Sequence, residues 1–365
     1  MEFLKKVLVL ANFDDFYNTR KEVIEELIKE YEVNICYPYG PNVDKFKRMG
    51  CKYTDIQIDR RGTNILNDIK LLRNYKRILL NYKPDIVLTY SIKPNVYGGY
   101  CCAKYGIPYL ANITGLGTAL ENPGLLQKLA IIMHKLGLRK ASTIFVQNEE
   151  NRDFFMEKNI YSNKLCLIPG SGVNTAEFNY LEYPTGNEKH FLYIARVMKE
   201  KGIDQYLEAA KFIKKRYPNT FFHILGFCEE DYKSKLKLLE DEGIIQYHGL
   251  VNDVRKFHKI SCCTIHPSYY PEGMSNVLLE AASCGRPVIT TNRSGCKEIV
   301  EDNVTGFIFK KMDSNDLINK IQFFLSKTYF QQKEMGVLAR KYVVDNFERK
   351  KVIKIYMDMI RENIL

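Results

Sequence analysis

The stretch His266-Pro-Ser-Tyr-Tyr-Pro-Glu-Gly-Met-Ser-Asn-Val-Leu-Leu-Glu-Ala-Ala-Ser-Cys-Gly285 decides how this chain is read. Cys263 to His266 is a short apolar run suited to end a buried strand, and Pro267 to Gly273 is rich in turn formers. Ser275 or Asn276 is placed to cap a helix running to Cys284, with Gly285 as its stop and Pro287 just beyond. Strand, loop and helix in that order put backbone N–H groups at a strand's carboxyl end. In an open α/β sheet that is where anionic ligands bind. The stretch carries two carboxylates: Glu272 on the loop, and Glu280 about two turns into the helix.

Upstream and downstream the same grammar repeats. Strands are expected at 7–11, 33–37, 85–90, 108–112, 143–147 and 165–168, with helices over 19–30, 65–81 and 95–104 between them. After Pro169-Gly-Ser-Gly-Val173 the pattern breaks, and 174–189 reads as a linker. Strands resume at 191–195, 221–225, 245–248, 263–266, 287–291 and 306–309, with helices over 203–216, 231–242, 251–259, 275–284 and 316–327. Alternation of this kind predicts βαβ units and parallel sheets. The fold class expected is α/β, two doubly wound Rossmann-like domains facing across a cleft. The expected boundaries are 1–170, 171–345, and a terminal helix 346–365 crossing back to the first domain.

The bulk numbers narrow the class. A chain of 365 residues is too long for one ordinary core. Its 45% hydrophobic and 27% charged residues are those of a globular protein. No apolar run approaches the roughly 18 residues of a spanning helix, and a strand at Lys6-Val-Leu-Val-Leu-Ala11 argues against a leader peptide. Ten cysteines without regular spacing suggest reduced thiols in a cytosol, and no Cys-x-x-Cys or His/Cys metal cluster is visible. The net charge of +11 comes more from residues 1–175, with 25 cations against 18 anions, than from the remainder, with 29 against 25. A basic balance suits an anionic membrane or a phosphorylated ligand, or is a plain lysine-rich surface. No nucleic-acid-binding module appears.

Arg196 and Lys201 flank the turn from the first strand of the second half into its helix, and Gly202 there permits close backbone approach. Diphosphate is the partner this turn suits; a solvated basic turn is the plainer alternative. Glu280 is followed by Ala281-Ala282. It reads either as a buried carboxylate satisfied by backbone or as an acceptor for vicinal ribose hydroxyls.

At this point the residues resemble a family. The opening stretch is similar to the nucleotide-binding motif of the retaining GT-B glycosyltransferases of family 4. Ala195-Arg-Val-Met-Lys-Glu-Lys-Gly202 resembles that family's diphosphate motif, and Ile168-Pro-Gly-Ser-Gly-Val-Asn174 its interdomain turn. His248-Gly-Leu-Val-Asn-Asp253 and Asn303-Val-Thr-Gly-Phe307 match as well. Ser91-Ile-Lys-Pro-Asn-Val-Tyr-Gly98 and Asn112-Ile-Thr-Gly-Leu-Gly117 look like the bacterial branch that extends lipid-linked saccharides in capsule, O-antigen and N-glycan assembly.

The resemblance implies a UDP-sugar donor, a polyprenyl-diphosphate-linked saccharide acceptor, retention at the anomeric carbon, and no metal or other cofactor. Glu272, Arg196 and Lys201 would be catalytic. Glu280, Gly273, Met274, Ser275, Asn276, Gly202 and His248 would bind the nucleotide sugar, with N–H groups near Met274 and Ser275 helping to hold the diphosphate. Lys93, Asn95, Thr114, Gly115, Asn12 and Arg20 would face the acceptor or donor sugar. The chain departs from the family where many members carry a His after the strand ending near Thr114; here Thr114-Gly115 stands instead. Lys93 reads also as a plain surface lysine. A UDP-sugar 2-epimerase of similar fold and a non-catalytic nucleotide-sugar binding protein are the rival readings. The protein is expected in the cytoplasm, peripheral at the inner face of the cell membrane.

Leu125 to Lys140 adds one more feature. Leu125, Leu129, Ile132, Met133 and Leu136 form an apolar stripe, and Lys128, Lys135, Arg139 and Lys140 add charge. Such a helix either packs its stripe on the sheet or lies on an anionic bilayer.

Overall fold

A computed structural model describes residues 4–14, 16–59, 62 and 64–364. The chain divides into two compact units, Met1–Ser171 with Lys350–Leu365, and Gly172–Arg349. The crossing back thus falls at Arg349/Lys350 rather than at 345/346. Two helices occupy the tail, Tyr329–Phe347 and Arg349–Asn363, and they part at Glu348. The second of them buries Val352, Tyr356, Met357 and Ile360 in the core of the first unit.

The first unit holds β1 (Lys6–Leu10), β2 (Glu32–Tyr37), β3 (Lys52–Asp55), β4 (Ile86–Tyr90), β5 (Tyr109–Ile113), β6 (Thr143–Val146) and β7 (Leu165–Leu167). They form one parallel sheet in the order β3-β2-β1-β4-β5-β6-β7. Its interior strands are apolar on both faces, because helices cover both. The second unit holds β8 (Lys189–Ile194), β9 (Thr220–Leu225), β10 (Gln246–Gly249), β11 (Cys263–His266), β12 (Val288–Thr291) and β13 (Gly306–Phe309). Their order is β10-β9-β8-β11-β12-β13, again all parallel. Both sheets are doubly wound, and the strand order reverses between β1 and β4 in one and between β8 and β11 in the other. At such a reversal the loops leaving the strands' carboxyl ends part to opposite faces, which is where doubly wound sheets hold their ligands.

The predicted elements agree with the observed ones to within a few residues, with instructive exceptions. The edge strand β3 was not predicted: its sequence, Lys-Tyr-Thr-Asp, is polar and largely exposed, so it has no apolar run to show. The helix expected over 95–104 begins as a π-turn over Pro94–Gly98 before α-geometry sets in at Gly99–Tyr105. The aperiodic stretch after Val173 is irregular but anchored. Buried Arg286 donates to the carbonyls of Leu181 and Glu182 at 3.0 and 2.8 Å, and to that of His258 at 2.6 Å. All ten cysteines are free thiols.

Candidate active site

The site assembles at the switch point of the second unit. β8 ends just before Arg196, and the turn Lys199–Lys201 leads through Gly202 into the helix Ile203–Arg216. β11 ends at His266, and the quoted loop leads into the helix Asn276–Ser283. Adjacent pairing of β8 with β11 therefore brings the two motifs together.

Gly202 shows how closely. It lies at φ +73°, and a Cβ there would sit 2.1 Å from the Pro267 carbonyl oxygen. The close approach that the sequence suggested is thus to the neighbouring loop's own backbone. Tyr269 N–H donates to the Glu200 carbonyl at 3.0 Å, tying the loops a second time.

Within this frame Lys201 forms an ion pair with Glu272, both side chains largely buried at 12% and 13% exposure. Ser268 Oγ donates to the same carboxylate oxygen at 3.0 Å, and His266 Nε2 lies 3.5 Å from it. Burial would raise the Glu272 carboxyl's pKa. The Lys201 charge and the His266 contact outweigh it and hold the group well below the usual carboxylate range. Arg196 pairs with Glu229, beyond the carboxyl end of β9. Tyr270 stands between the two cations, its ring centre 4.8 Å from Lys201 Nζ and 5.5 Å from Arg196 Cζ. The site thus holds two cations, each balanced by a carboxylate, around one aromatic face.

The helix Asn276–Ser283 buries Leu278, Leu279, Ala281 and Ala282, and leaves Asn276, Val277 and Glu280 half-buried along its other side. Glu280 therefore stands on the accessible strip, about one turn from Asn276, and is not a core carboxylate. Ser275 occupies the cap position, yet its hydroxyl meets His266 Nε2 at 3.3 Å and makes no cap bond. Its backbone N–H donates to the Gly295 carbonyl at 2.8 Å. The expectation that this N–H serves a diphosphate thus meets a group already used within the fold. Met274 is buried among apolar neighbours, so its side chain faces inward, and Gly273 is buried on the same turn.

His248 departs from its expected place. It lies on the edge strand β10, where its Nε2 is 3.0 Å from His223 Nδ1, and its ring packs on Phe257. His223 in turn reaches His190 at 2.9 Å, so three imidazoles run across β10, β9 and β8. This is a separate cluster from the Arg196–Glu272 group. A further grouping that the sequence did not reveal is His266, Glu272 and Cys296, whose ligand-type atoms lie within 4.8 Å of one another. Its donor set fits a metal ion poorly. Glu272 is already paired with Lys201, and burial with the nearby Glu272 charge pushes the Cys296 thiol up, keeping it protonated.

In the first unit, most of the residues expected on the sugar side serve the fold. Lys93 is paired with Asp68 at 2.7 Å and donates to the Gly62 carbonyl at 3.0 Å, largely buried. Asn95 is buried, accepting from Thr89 Oγ1 at 2.6 Å and donating to the Asn112 carbonyl at 2.8 Å. Arg20 is buried, bonded to the Thr19 carbonyl at 2.9 Å, with its guanidinium 5.3 Å from the ring centre of Tyr90. Asn12 is buried at the carboxyl end of β1, and its Oδ1 has no hydrogen-bond partner among the described residues. Thr114 is exposed and Gly115 half-buried beyond β5, at the same sheet edge. Ser91, just past β4, has φ +74°, an uncommon conformation for a residue with a side chain.

Sequence reasoning missed Glu229, Ser268 and Tyr270. Ser268 and Tyr270 lie inside the quoted loop, and Glu229 follows the carboxyl end of the strand next to β8. Position at the sheet edge was the available signal for all three.

Comparisons with known proteins bear on this site. Residues 182–342 match the family described as Glycosyl transferases group 1, and residues 6–148 the family Glycosyl transferase 4-like. The chain is 25% identical over 330 residues to the N,N'-diacetylbacillosaminyl-diphospho-undecaprenol alpha-1,3-N-acetylgalactosaminyltransferase of Campylobacter jejuni, covering 85% of this chain and 86% of that one. It is 26% identical over 365 residues to the UDP-Gal:alpha-D-GlcNAc-diphosphoundecaprenol alpha-1,3-galactosyltransferase of Escherichia coli, covering 91% and 90%. Among solved structures, Anabaena HepE in complex with UDP-glucose superposes with a TM-score of 0.81 at 16% identity, covering 98% of this chain and 99% of that one.

Proposed function

The chain belongs to the glycosyltransferases, and from that premise we propose that it moves a sugar, a hexosamine or uronic acid, from a UDP-linked donor to a saccharide carried on polyprenyl diphosphate. The step belongs to assembly of a surface polysaccharide or glycan. The observation that carries the donor half is the meeting of Arg196, Lys201 and Glu272 around Tyr270 at the β8/β11 switch point. The acceptor half is supported by the relatives, whose names specify undecaprenol-diphosphate acceptors. Such an acceptor resides in a bilayer, so the enzyme works as a peripheral protein at the inner face of the cell membrane.

As UDP departs, negative charge gathers on its diphosphate. Arg196 and Lys201 neutralise it by exchanging their carboxylate partners for phosphate oxygens, in a site already shielded from water. Glu272, released from Lys201, accepts hydrogen bonds from the donor sugar. Glu280, on the accessible strip of its helix, accepts the two ribose hydroxyls. The acceptor oxygen bonds to the anomeric carbon on the face from which phosphate leaves. Its proton passes to the departing phosphate oxygen, and configuration is retained. Fixed cations supply the charge that a metal would bring, and the transfer is metal-independent.

The test is UDP affinity and transfer across UDP-, GDP- and dTDP-sugars, with and without EDTA, in the wild type and Glu280→Ala. Loss of two hydrogen bonds to a charged acceptor, about 3 kcal/mol or more, should weaken UDP by at least about 100-fold. Unchanged UDP affinity removes the ribose assignment. Transfer abolished by EDTA removes the metal-free one.

A further inference from the structure

The loop that carries Glu272 is held from behind by the neighbouring strand and by the turn beyond it. β12 pairs with β11, and its last residues reach across to the loop that β11 feeds. Thr290 Oγ1 donates to the His266 carbonyl at 2.9 Å, and Thr291 Oγ1 to the Ser268 carbonyl at 2.5 Å. Past the strand, Ser275 N–H donates to the Gly295 carbonyl at 2.8 Å. The loop is thus tied at both ends, with Glu272 between the ties. Gly295 also sets how closely the two backbones meet. It lies at φ +86°, and a Cβ there would sit 2.7 Å from the Gly273 carbonyl oxygen and 3.2 Å from that of Glu272. The wall behind Glu272 is therefore bare backbone, and its place depends on what fixes Gly295.

Glu298 fixes it. One carboxylate oxygen accepts the Gly295 N–H at 2.7 Å, and the other accepts the Ser294 hydroxyl at 2.7 Å. Ser294 and Gly295 are buried and Glu298 is half-buried, so water is poorly placed to replace either bond. Hydrogen bonds to an ionised carboxylate are also the stronger kind. The residue is itself anchored. Tyr342, on the helix Tyr329–Phe347, donates to the Glu298 carbonyl at 3.1 Å. Ile299 and Val300, next in the chain, are buried with Leu278, Leu279 and Val343. Contacts thus run unbroken from this core through Glu298 and Gly295 to the backbone of the loop that bears Glu272.

We propose that Glu298 is a positioning residue for the transfer: it holds Gly295 against the loop, so that the Glu272 carboxylate meets the donor sugar in one fixed place. The inference rests on the donor-sugar role proposed for Glu272 above. Glu272 must leave Lys201 and take up the sugar in each cycle, and a loop free to drift would let it do so in many positions. A misplacement of about 1 Å can cost about 100-fold in rate.

The experiment measures amide hydrogen exchange by mass spectrometry, UDP affinity, and transfer from a UDP-sugar to a synthetic polyprenyl-diphosphate-linked saccharide. It is run on the full chain as wild type, E298A, E298Q, S294A, E272Q and E298A/E272Q. In E298A the segment 268–276 should exchange about tenfold faster or more, from the lost hydrogen bonds, while β9 and β10 keep wild-type exchange. Its kcat should fall about tenfold or more. UDP, which lacks the sugar, should bind it within about threefold of the wild type. E298Q should rescue both exchange and kcat, because its amide oxygen accepts the Gly295 N–H and its amide nitrogen donates to a reversed Ser294 hydroxyl. E298A/E272Q should be no slower than E272Q, since a residue that acts only through Glu272 then has nothing left to position. S294A keeps the Gly295 bond and should fall between wild type and E298A; it decides on the same readouts if E298A does not fold. Unchanged exchange over 268–276, a wild-type kcat in E298A, an E298Q as slow as E298A, or additive losses in the double variant overturns the proposal. Faster exchange confined to 268–276, in a protein that binds no UDP, leaves the clamp standing and removes the functional reading instead.

Discussion

Replacing Lys201 by methionine should take the paired positive charge away from the largely buried Glu272 carboxylate. Ser268 Oγ and His266 Nε2 would stay near its carboxylate, and neither carries a fixed positive charge. The pair is 12% and 13% exposed, too buried for solvent to take over the missing charge. Breaking a buried pair from one side costs about 3–5 kcal/mol. In a unit of this size each kcal/mol moves the midpoint by roughly 2–4 °C. The Lys201→Met variant should therefore unfold about 10 °C below the wild type at pH 7. Removing both charges should be far milder, so Lys201→Met combined with Glu272→Gln should return near the wild-type midpoint while remaining inactive in transfer.

The same pair fixes a pH signature. In the wild type the Glu272 pKa is depressed, so its contribution to stability is present above the unfolded carboxylate value and is lost as pH falls below it. In Lys201→Met the largest lowering influence is gone while burial still raises the pKa, so acid relieves the variant's buried charge by protonating it. The gap between variant and wild type should narrow from pH 7 to pH 5. Thermal unfolding followed by circular dichroism reads both effects. A Lys201→Met protein that melts with the wild type at pH 7, or a double variant as unstable as the single one, would refute the reasoning.

Two further outcomes are expected. Glu229→Gln removes the carboxylate that competes with diphosphate for Arg196, so UDP should bind a few-fold tighter, in line with roughly 0.5–1 kcal/mol for a partly exposed pair; calorimetry showing weaker binding would mean that Glu229 itself supports the nucleotide. The second unit should be acid-sensitive. Burial brings the His258 pKa down to about 3, assisted by nearby Arg286, and the His223 pKa down to about 4, assisted by His190 and His248. Both folded values lie below the unfolded one, so stability is full above about pH 6.5 and falls with acid, by about 2 kcal/mol per histidine at pH 5. A urea midpoint unchanged between pH 7 and 5 would exclude this.

Most strands were legible because they are apolar on both faces and bounded by turn formers; Cys263–His266 and Gly306–Phe309 were placed to the residue. β3 was not, because an exposed edge strand of Lys, Tyr, Thr and Asp carries no burial signal. The site divides along the same line. Arg196, Lys201, Glu272 and Glu280 could be named because a strand-to-helix turn fixes their position along the chain. Their partners could not be read, because Glu229 and Glu272 reach the cations only through the strand order β9-β8-β11, a tertiary fact. Lys93, Asn95 and Arg20 show the converse. Each sits where a ligand-binding residue would, yet Asp68, the Asn112 carbonyl and the Tyr90 ring use them within the fold.

This difference in partnering bears on mechanism. Two cations held by carboxylates carry no net charge toward an approaching diphosphate, so long-range attraction is weak and discrimination falls on the exchange itself. A ligand must offer at least two phosphate oxygens placed to replace Glu229 and Glu272 together. A lone phosphate that captured only Lys201 would take from Glu272 its paired positive charge, at the cost already worked out for Lys201→Met. On the proposed donor role, the pairing of Glu272 with Lys201 would favour a nucleoside diphosphate whose sugar hydroxyls can donate to the released carboxylate over inorganic phosphate, which has no such sugar.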